Sequence, residues 1–209
     1  MCREVLGNLL ARSFGLTTPE PALVVIPDEL AEAANAQVRE SGRFLALKPG
    51  VASGCRKVAL LANVAQGLGT ELPNPEAALQ VFAFDMLAQS ADRSAARPNC
   101  AIDGSGYIVF DFEQCFALDG RLIEPGDPWR PCARGLAVQH VFYPGLRGRS
   151  IKREELAAGL ARLTPAVLQR RIAELPPTWQ AEASRVASHV ECVRKHADDF
   201  VEDLAEALK

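Results

Sequence analysis

The sequence predicts an α+β domain that is mostly helical and carries one short β-hairpin. Three observations lead there. Apolar residues recur at helical spacing over 2–14, 75–87 and most of 152–208, the period that buries one stripe of a helix. Two β-like runs flank a Gly-rich turn within 100–110, and the stretch 117–150 is broken repeatedly by Gly and Pro, which interrupt regular structure.

In chain order, Val5, Leu6, Leu9, Leu10 and Phe14 mark the first helix, and Gly15 stands where a left-handed cap ends it. Residues 22–26 form an apolar run between Pro19 and Pro27 and read as a strand fenced by residues that cannot serve inside a sheet. Residues 28–39 look helical. A short strand over 44–47 and a Gly/Pro/Ser loop to residue 54 are expected next. Residues 57–68 are ambiguous between a helix and a buried segment.

Asn74-Pro75-Glu76 is a helix start with proline at the first helical position, and Ala78, Leu79, Phe82, Met86 and Leu87 give the buried face. The runs 100–102 and 107–110 bracket Asp103-Gly104-Ser105-Gly106, which is hairpin-turn chemistry. Loops with short helical turns follow over 117–150. Helices are expected over 152–174 and 178–208, separated by Pro176-Pro177.

Composition narrows the function classes. With 209 residues, 48% hydrophobic and 23% charged, the chain can bury a core without disulfides. Its net charge of −3 gives no global attraction to nucleic acid or anionic lipid, so direct nucleic-acid binding is not expected. Arg130, Arg134, Arg147, Arg149, Lys152 and Arg153 form a loose basic cluster whose first reading is a solvated loop and helix start, with a peptide or phosphate contact behind it. The six cysteines include no CxxC pair, which argues against zinc. No leader-like N-terminus and no apolar run of membrane length occur, so no membrane partner and a cytoplasmic location with reduced thiols are expected. His140 reads as a packed histidine, and His189 and His196, seven apart, as helix surface.

Chemistry concentrates between 84 and 116. A helix is followed by Asp92-Arg93, then Asn99, then a hairpin whose second strand ends in Asp111-Phe112-Glu113. Phosphoryl transfer needs a carboxylate to orient or deprotonate the attacking hydroxyl and oxygen ligands to hold magnesium against a triphosphate. Asp and Asn are also ordinary turn residues, so spacing alone leaves a purely structural role open.

The stretch FDMLAQSADRSAARPNCAI, followed by IVFDFEQCF, resembles the HipA-like kinase family, whose pattern is Asn-x-Asp-Arg, Asn-Pro-Asn and then Asp-Phe-Glu after an apolar strand. EVLGNLLARSFGLTTPEPALVVI is similar to the family's opening C-lobe helix and strand, and ELPPTWQAEASRV, with Trp179, to its C-terminal helices. The resemblance implies the C-lobe of a kinase-like fold over 1–209: about 1–70 leading into the lobe, 74–116 as the catalytic and metal-binding core, and 117–209 as a helical C-terminal region. It implies Asp92 as the catalytic base or hydroxyl-orienting group and Asn99 and Asp111 as metal contacts, with ATP and Mg2+ as cofactors. Glu113 would support a second metal or pair with Arg93.

Ser90 and Arg97 stand where the family pattern has asparagines. The family's N-terminal lobe, with its phosphate-covering loop and nucleotide-gripping lysine, is expected to be missing, and Lys48 reads as an exposed lysine rather than a substitute for it. The expectation is an ATP- and Mg-dependent phosphotransferase acting on a hydroxyl, of a protein, on its own or with a separately encoded N-lobe. The alternative is a catalytically inactive remnant or binding module.

Overall fold

Apolar periodicity at the start of the chain becomes helix α1 (Cys2–Phe14), which buries Val5, Leu6, Leu10 and Phe14. It ends where expected, at Gly15, whose φ of 115° a side chain would resist. The computed structural model describes residues 1–40, 47–58, 62–63, 72–103, 106–117 and 126–209. Helix α3 (Pro75–Leu87) begins at Asn74, whose side chain accepts the Ala77 N–H at 2.9 Å. The expected apolar face of α3 is buried, and so are Val81, Ala83, Phe84 and Asp85. A helix apolar all round belongs in the centre of a domain, and α3 sits there.

Helix α1 meets α3 edge-to-face through Phe14 and Phe84, with ring centroids 5.4 Å apart. Helix α5 (Arg153–Arg162) lies against both, and α6 (Pro165–Ala173), α7 (Gln180–Lys195) and α8 (Ala197–Ala207) close the helical half. The short helix α4 (Tyr143–Leu146) contacts α3. Among the described residues, no helix is long and apolar enough to cross a membrane.

Two small antiparallel sheets complete the α+β class. In the first, β4 (Cys100–Asp103) lies between β3 (Ala62–Asn63) and β5 (Gly106–Val109), with Cys100 opposite Val109 and Asp103 opposite Gly106. This hairpin is tied to the exit of α1, because the Val109 N–H donates to Thr17 O at 2.9 Å. The second sheet pairs β1 (Pro21–Ile26) with β2 (Gly50–Cys55), and α2 (Asp28–Glu40) connects them within the chain. Strand β1 lies at the surface rather than inside, with Val25 72% exposed.

Three expectations change. Of the strand expected over 44–47, residues 44–46 lie outside the described residues, and Leu47 is held by the Asn35 side chain rather than by a sheet. A strand forms at β2, in the stretch expected to be loop. Its sequence GVASGC has little β propensity of its own, and pairing with β1 over six residue pairs decides its state. Of 57–68, residues 59–61 and 64–68 lie outside the described residues, and Ala62–Asn63 is a strand.

Both C-terminal helices divide. The first stops at Leu163 because Pro165 lacks the N–H that a continuing helix needs, and Thr164 caps α6 through Val167 N. The second breaks at His196, with φ −115° and ψ 36°, where the imidazole stacks on Trp129 at 3.6 Å.

Helix α5 fits α1 only because Gly159 has no side chain, since a Cβ there would lie 2.0 Å from the Phe14 ring. Gly159→Ala is expected to cost about 1–3 kcal/mol, the usual range for overpacking a core. The urea midpoint checks it, with an unchanged midpoint counting against this packing.

Candidate functional site

One charge decides the architecture of the site. Asp85 lies on α3 among Phe82, Phe84, Met86 and Leu87 and is fully buried. A carboxylate in such surroundings must be paired. Arg93 supplies the partner, its Nε 2.5 Å from Asp85 Oδ2, and it too is buried. His140 places Nε2 3.0 Å from the same oxygen. The Phe142 N–H donates to His140 Nδ1 at 3.2 Å, so Nδ1 is the acceptor and Nε2 carries the hydrogen toward Asp85. Asp85 Oδ1 is buried with no hydrogen-bond partner among the described residues.

Arg93 also holds the hairpin. Its Nη1 donates to the carbonyls of Asn99 at 2.5 Å, Phe110 at 3.3 Å and Pro98 at 3.4 Å. The guanidinium carbon stands 5.7 Å from the centre of the Phe112 ring. A single buried cation therefore joins α3, the loop before β4 and the chain leaving β5. The Phe110 N–H closes the other side by donating to Asn99 O at 3.1 Å.

The three predicted site residues lie around this anchor. Asp92 precedes Arg93 and is half-buried, and Asn99 Nδ2 donates to Asp92 Oδ2 at 3.2 Å. Asp111 lies at the surface one residue past Phe110, and its carboxyl feels the Asp92 charge. Partial burial, then Glu113 and Asp92, push that carboxyl above the ordinary range, outweighing Arg93 and Arg97. Asn99 and Asp111 both hold left-handed backbone, with φ of 45° and 62°. Such conformations cost of order 1 kcal/mol or more and collect at functional sites.

Asn99 and Asp111 offer an amide oxygen and a carboxylate, hard donors of the kind magnesium takes, and Asn99 turns its NH2 toward Asp92, leaving Oδ1 on the other side. Among the described residues, no group of three or more His, Cys, Asp and Glu side chains is arranged as a metal site. The site here has only two such members, Asp92 and Asp111, plus an asparagine. Cys100 and Cys115 border the network, and burial pushes both thiols up to about 12, which leaves them inert as nucleophiles.

Two expectations need correction. Glu113 does not pair with Arg93, because Arg93 is turned inward onto Asp85 while Glu113 faces solvent. His189 is not helix surface: it is buried, and its Nε2 lies 2.8 Å from Leu87 O at the end of α3. His140 is packed as expected, and Lys48 is exposed. The residue that sequence reasoning missed is Asp85. Its signal was present, since a lone acid in FAFDML has no polar face to occupy and must meet a buried cation.

A family model described as HipA-like kinase matches residues 1–206. No curated protein and no solved structure matches the chain.

Breaking the buried pair should be severe. Asp85→Asn strands the Arg93 charge and is expected to cost about 3–5 kcal/mol, read from urea unfolding. Acid should weaken the parent in two stages. Burial lowers the His140 pKa despite the nearby Asp85, so below about 6.5 the unfolded chain binds a proton that the folded chain refuses, and stability falls. Burial alone would raise the Asp85 pKa, but Arg93 and His140 hold it below the ordinary value, so a second loss begins below about pH 3.9. Urea midpoints from pH 8 to 3 check this, and His140→Gln should flatten the upper stage.

Proposed function

The chain belongs to the HipA-like kinase family, and from that premise we propose that it transfers a phosphoryl group from Mg-ATP to a hydroxyl of a protein. The observation that carries the reading is the hydrogen bond between Asp92 and Asn99 beside Asp111, three oxygen-bearing groups fixed by one buried arginine.

Asn99 and Asp111 would hold the magnesium ion. When bound, it neutralises charge on the phosphates as the phosphoryl group leaves. The chain's own residues supply the rest. Asp92 takes the Asn99 N–H on Oδ2 and keeps Oδ1 as the atom that orients, then accepts the proton of, the attacking hydroxyl. Being half-buried, it stays reachable by a substrate while losing part of its water. Partial burial, then the charges of Glu113 and Asp92, raise the Asp111 pKa, and a divalent cation would favour its ionised form.

A second reading, a binding module without turnover, has one observation in its favour. Arg97 stands where the family pattern has an asparagine, and its Nη1 lies 3.5 Å from Asp92 Oδ1, the oxygen that the proton transfer needs. The Arg97 side chain is 75% exposed, so this ion pair is weak and solvent-screened. A substrate hydroxyl can displace it.

Calorimetric titration with Mg-ATP tests the reading. The expected result is a Kd tighter than about 1 mM, or −4.1 kcal/mol, abolished by Asp111→Ala; a folded chain that gives no heat overturns it. Asp92→Asn should keep binding and slow phosphoryl transfer by about 10²-fold or more. Binding by the parent with no turnover on any hydroxyl substrate decides for the module.

The charge at Asp111 makes a separate forecast. Ionised Asp111 opposes folding when no cation is present, so Asp111→Asn should raise Tm in EDTA and erase the stabilisation by Mg2+. In the parent that stabilisation is roughly 3–6 °C at ten times Kd. Differential scanning calorimetry with and without Mg2+ reads both effects.

A further inference from the structure

Helix α1 reaches the site from the opposite end of the sequence. Glu4 Oε2 accepts the Phe112 N–H at 2.5 Å, across 108 residues. The contact lies on the amide that follows Asp111, the residue held at φ 62°. One turn further along α1, a Cβ on Gly7 would stand 2.7 Å from the Phe112 Cβ. The bare backbone at Gly7 thus lets Phe112 come against the helix, and that approach brings its N–H within reach of Glu4.

Glu4 is not capping its own helix, where an acid in the first turn ordinarily acts. The N-cap of α1 is Met1, which makes no side-chain bond, and the Glu4 carboxylate turns to another segment. Its neighbour Arg3 pairs elsewhere, with Glu182 at 3.4 Å. Glu4 therefore sits half-buried beside the acids Asp111 and Glu113: burial and those two charges work against its ionised form, while the Phe112 N–H and the N-terminal ammonium favour it. A contact kept against that repulsion holds something in place.

We propose that Glu4 is a positioning residue for Asp111: by holding the Phe112 N–H it fixes the left-handed backbone that turns the Asp111 carboxylate toward Asp92 and Asn99. The inference rests on the reading of Asp111 as the cation ligand and assigns a new residue, on a different helix, to that site. The hydrogen bond to Phe112, rather than the Glu4 charge, is what matters.

The test compares the parent with Glu4→Ala, Glu4→Gln and Glu4→Asp in the full chain. Mg2+ uptake is followed by calorimetry and Phe112 amide exchange by NMR in EDTA. Glu4→Ala should exchange the Phe112 amide at least about tenfold faster and raise the Mg2+ concentration for half-saturation about tenfold, the size of one hydrogen bond. Glu4→Gln, which keeps the acceptor, should stay within about threefold of the parent on both. If Glu4→Ala fails to fold, Glu4→Asp, one methylene short, should show the same loss of Mg2+ affinity. Unchanged Mg2+ affinity in the shortened variants, or a Gln variant as impaired as Ala, overturns the proposal alone. A parent that takes up no Mg2+ sinks the Asp111 assignment and this inference with it.

Discussion

The buried ion pair between Asp85 and Arg93 is the interaction on which the rest of this structure depends. An apolar pair of similar volume would serve stability as well or better, because taking two charges out of water costs about what their attraction returns. What an apolar side chain cannot supply is the remainder of the guanidinium. Its second nitrogen grips the carbonyls of Asn99 and Phe110, so the loop that carries one site residue and the strand end that leads to another share a single anchor. The pair positions the backbone, and the core around α3 absorbs the cost.

The consequences of that anchor appear at the surface. Asn99 and Asp111 hold backbone conformations that short polar residues tolerate best, and Asp92 is left beside them with its amide partner. Like charges gather at Asp111, where burial, Glu113 and Asp92 outweigh the opposite charges of Arg93 and Arg97. A fold optimised for itself would replace Asp111 with a neutral residue. In the proposed reading a divalent cation at Asp111 relieves that crowding.

Legibility in the sequence followed how local each cause was. Gly15 ended α1 and Asn74-Pro75 started α3 because caps act within one turn of the chain. The hairpin at 100–109 declared itself through its turn residues. Strand β2 did not, because its state is imposed by β1 across the sheet. At the break the His196 ring stacks on Trp129, 67 residues earlier in the chain, a contact that no periodicity shows. Asp92, Asn99 and Asp111 stand out as candidates from their pattern and the family resemblance. Glu4, Asp85 and His140 gain their roles only when distant segments meet, and for these the sequence offers little beyond one misplaced acid in an apolar helix.

The packing of α1 sets an order of events during synthesis. Its apolar face is covered by α5, α6 and α7, and its C-terminal end is held by Arg162 on the Phe14 carbonyl and Arg171 on the Ser13 hydroxyl. This thirteen-residue helix therefore waits for residues beyond 150 before its surface is fully shielded. Until those residues are made, part of this apolar face stays uncovered, a surface that holding chaperones recognise.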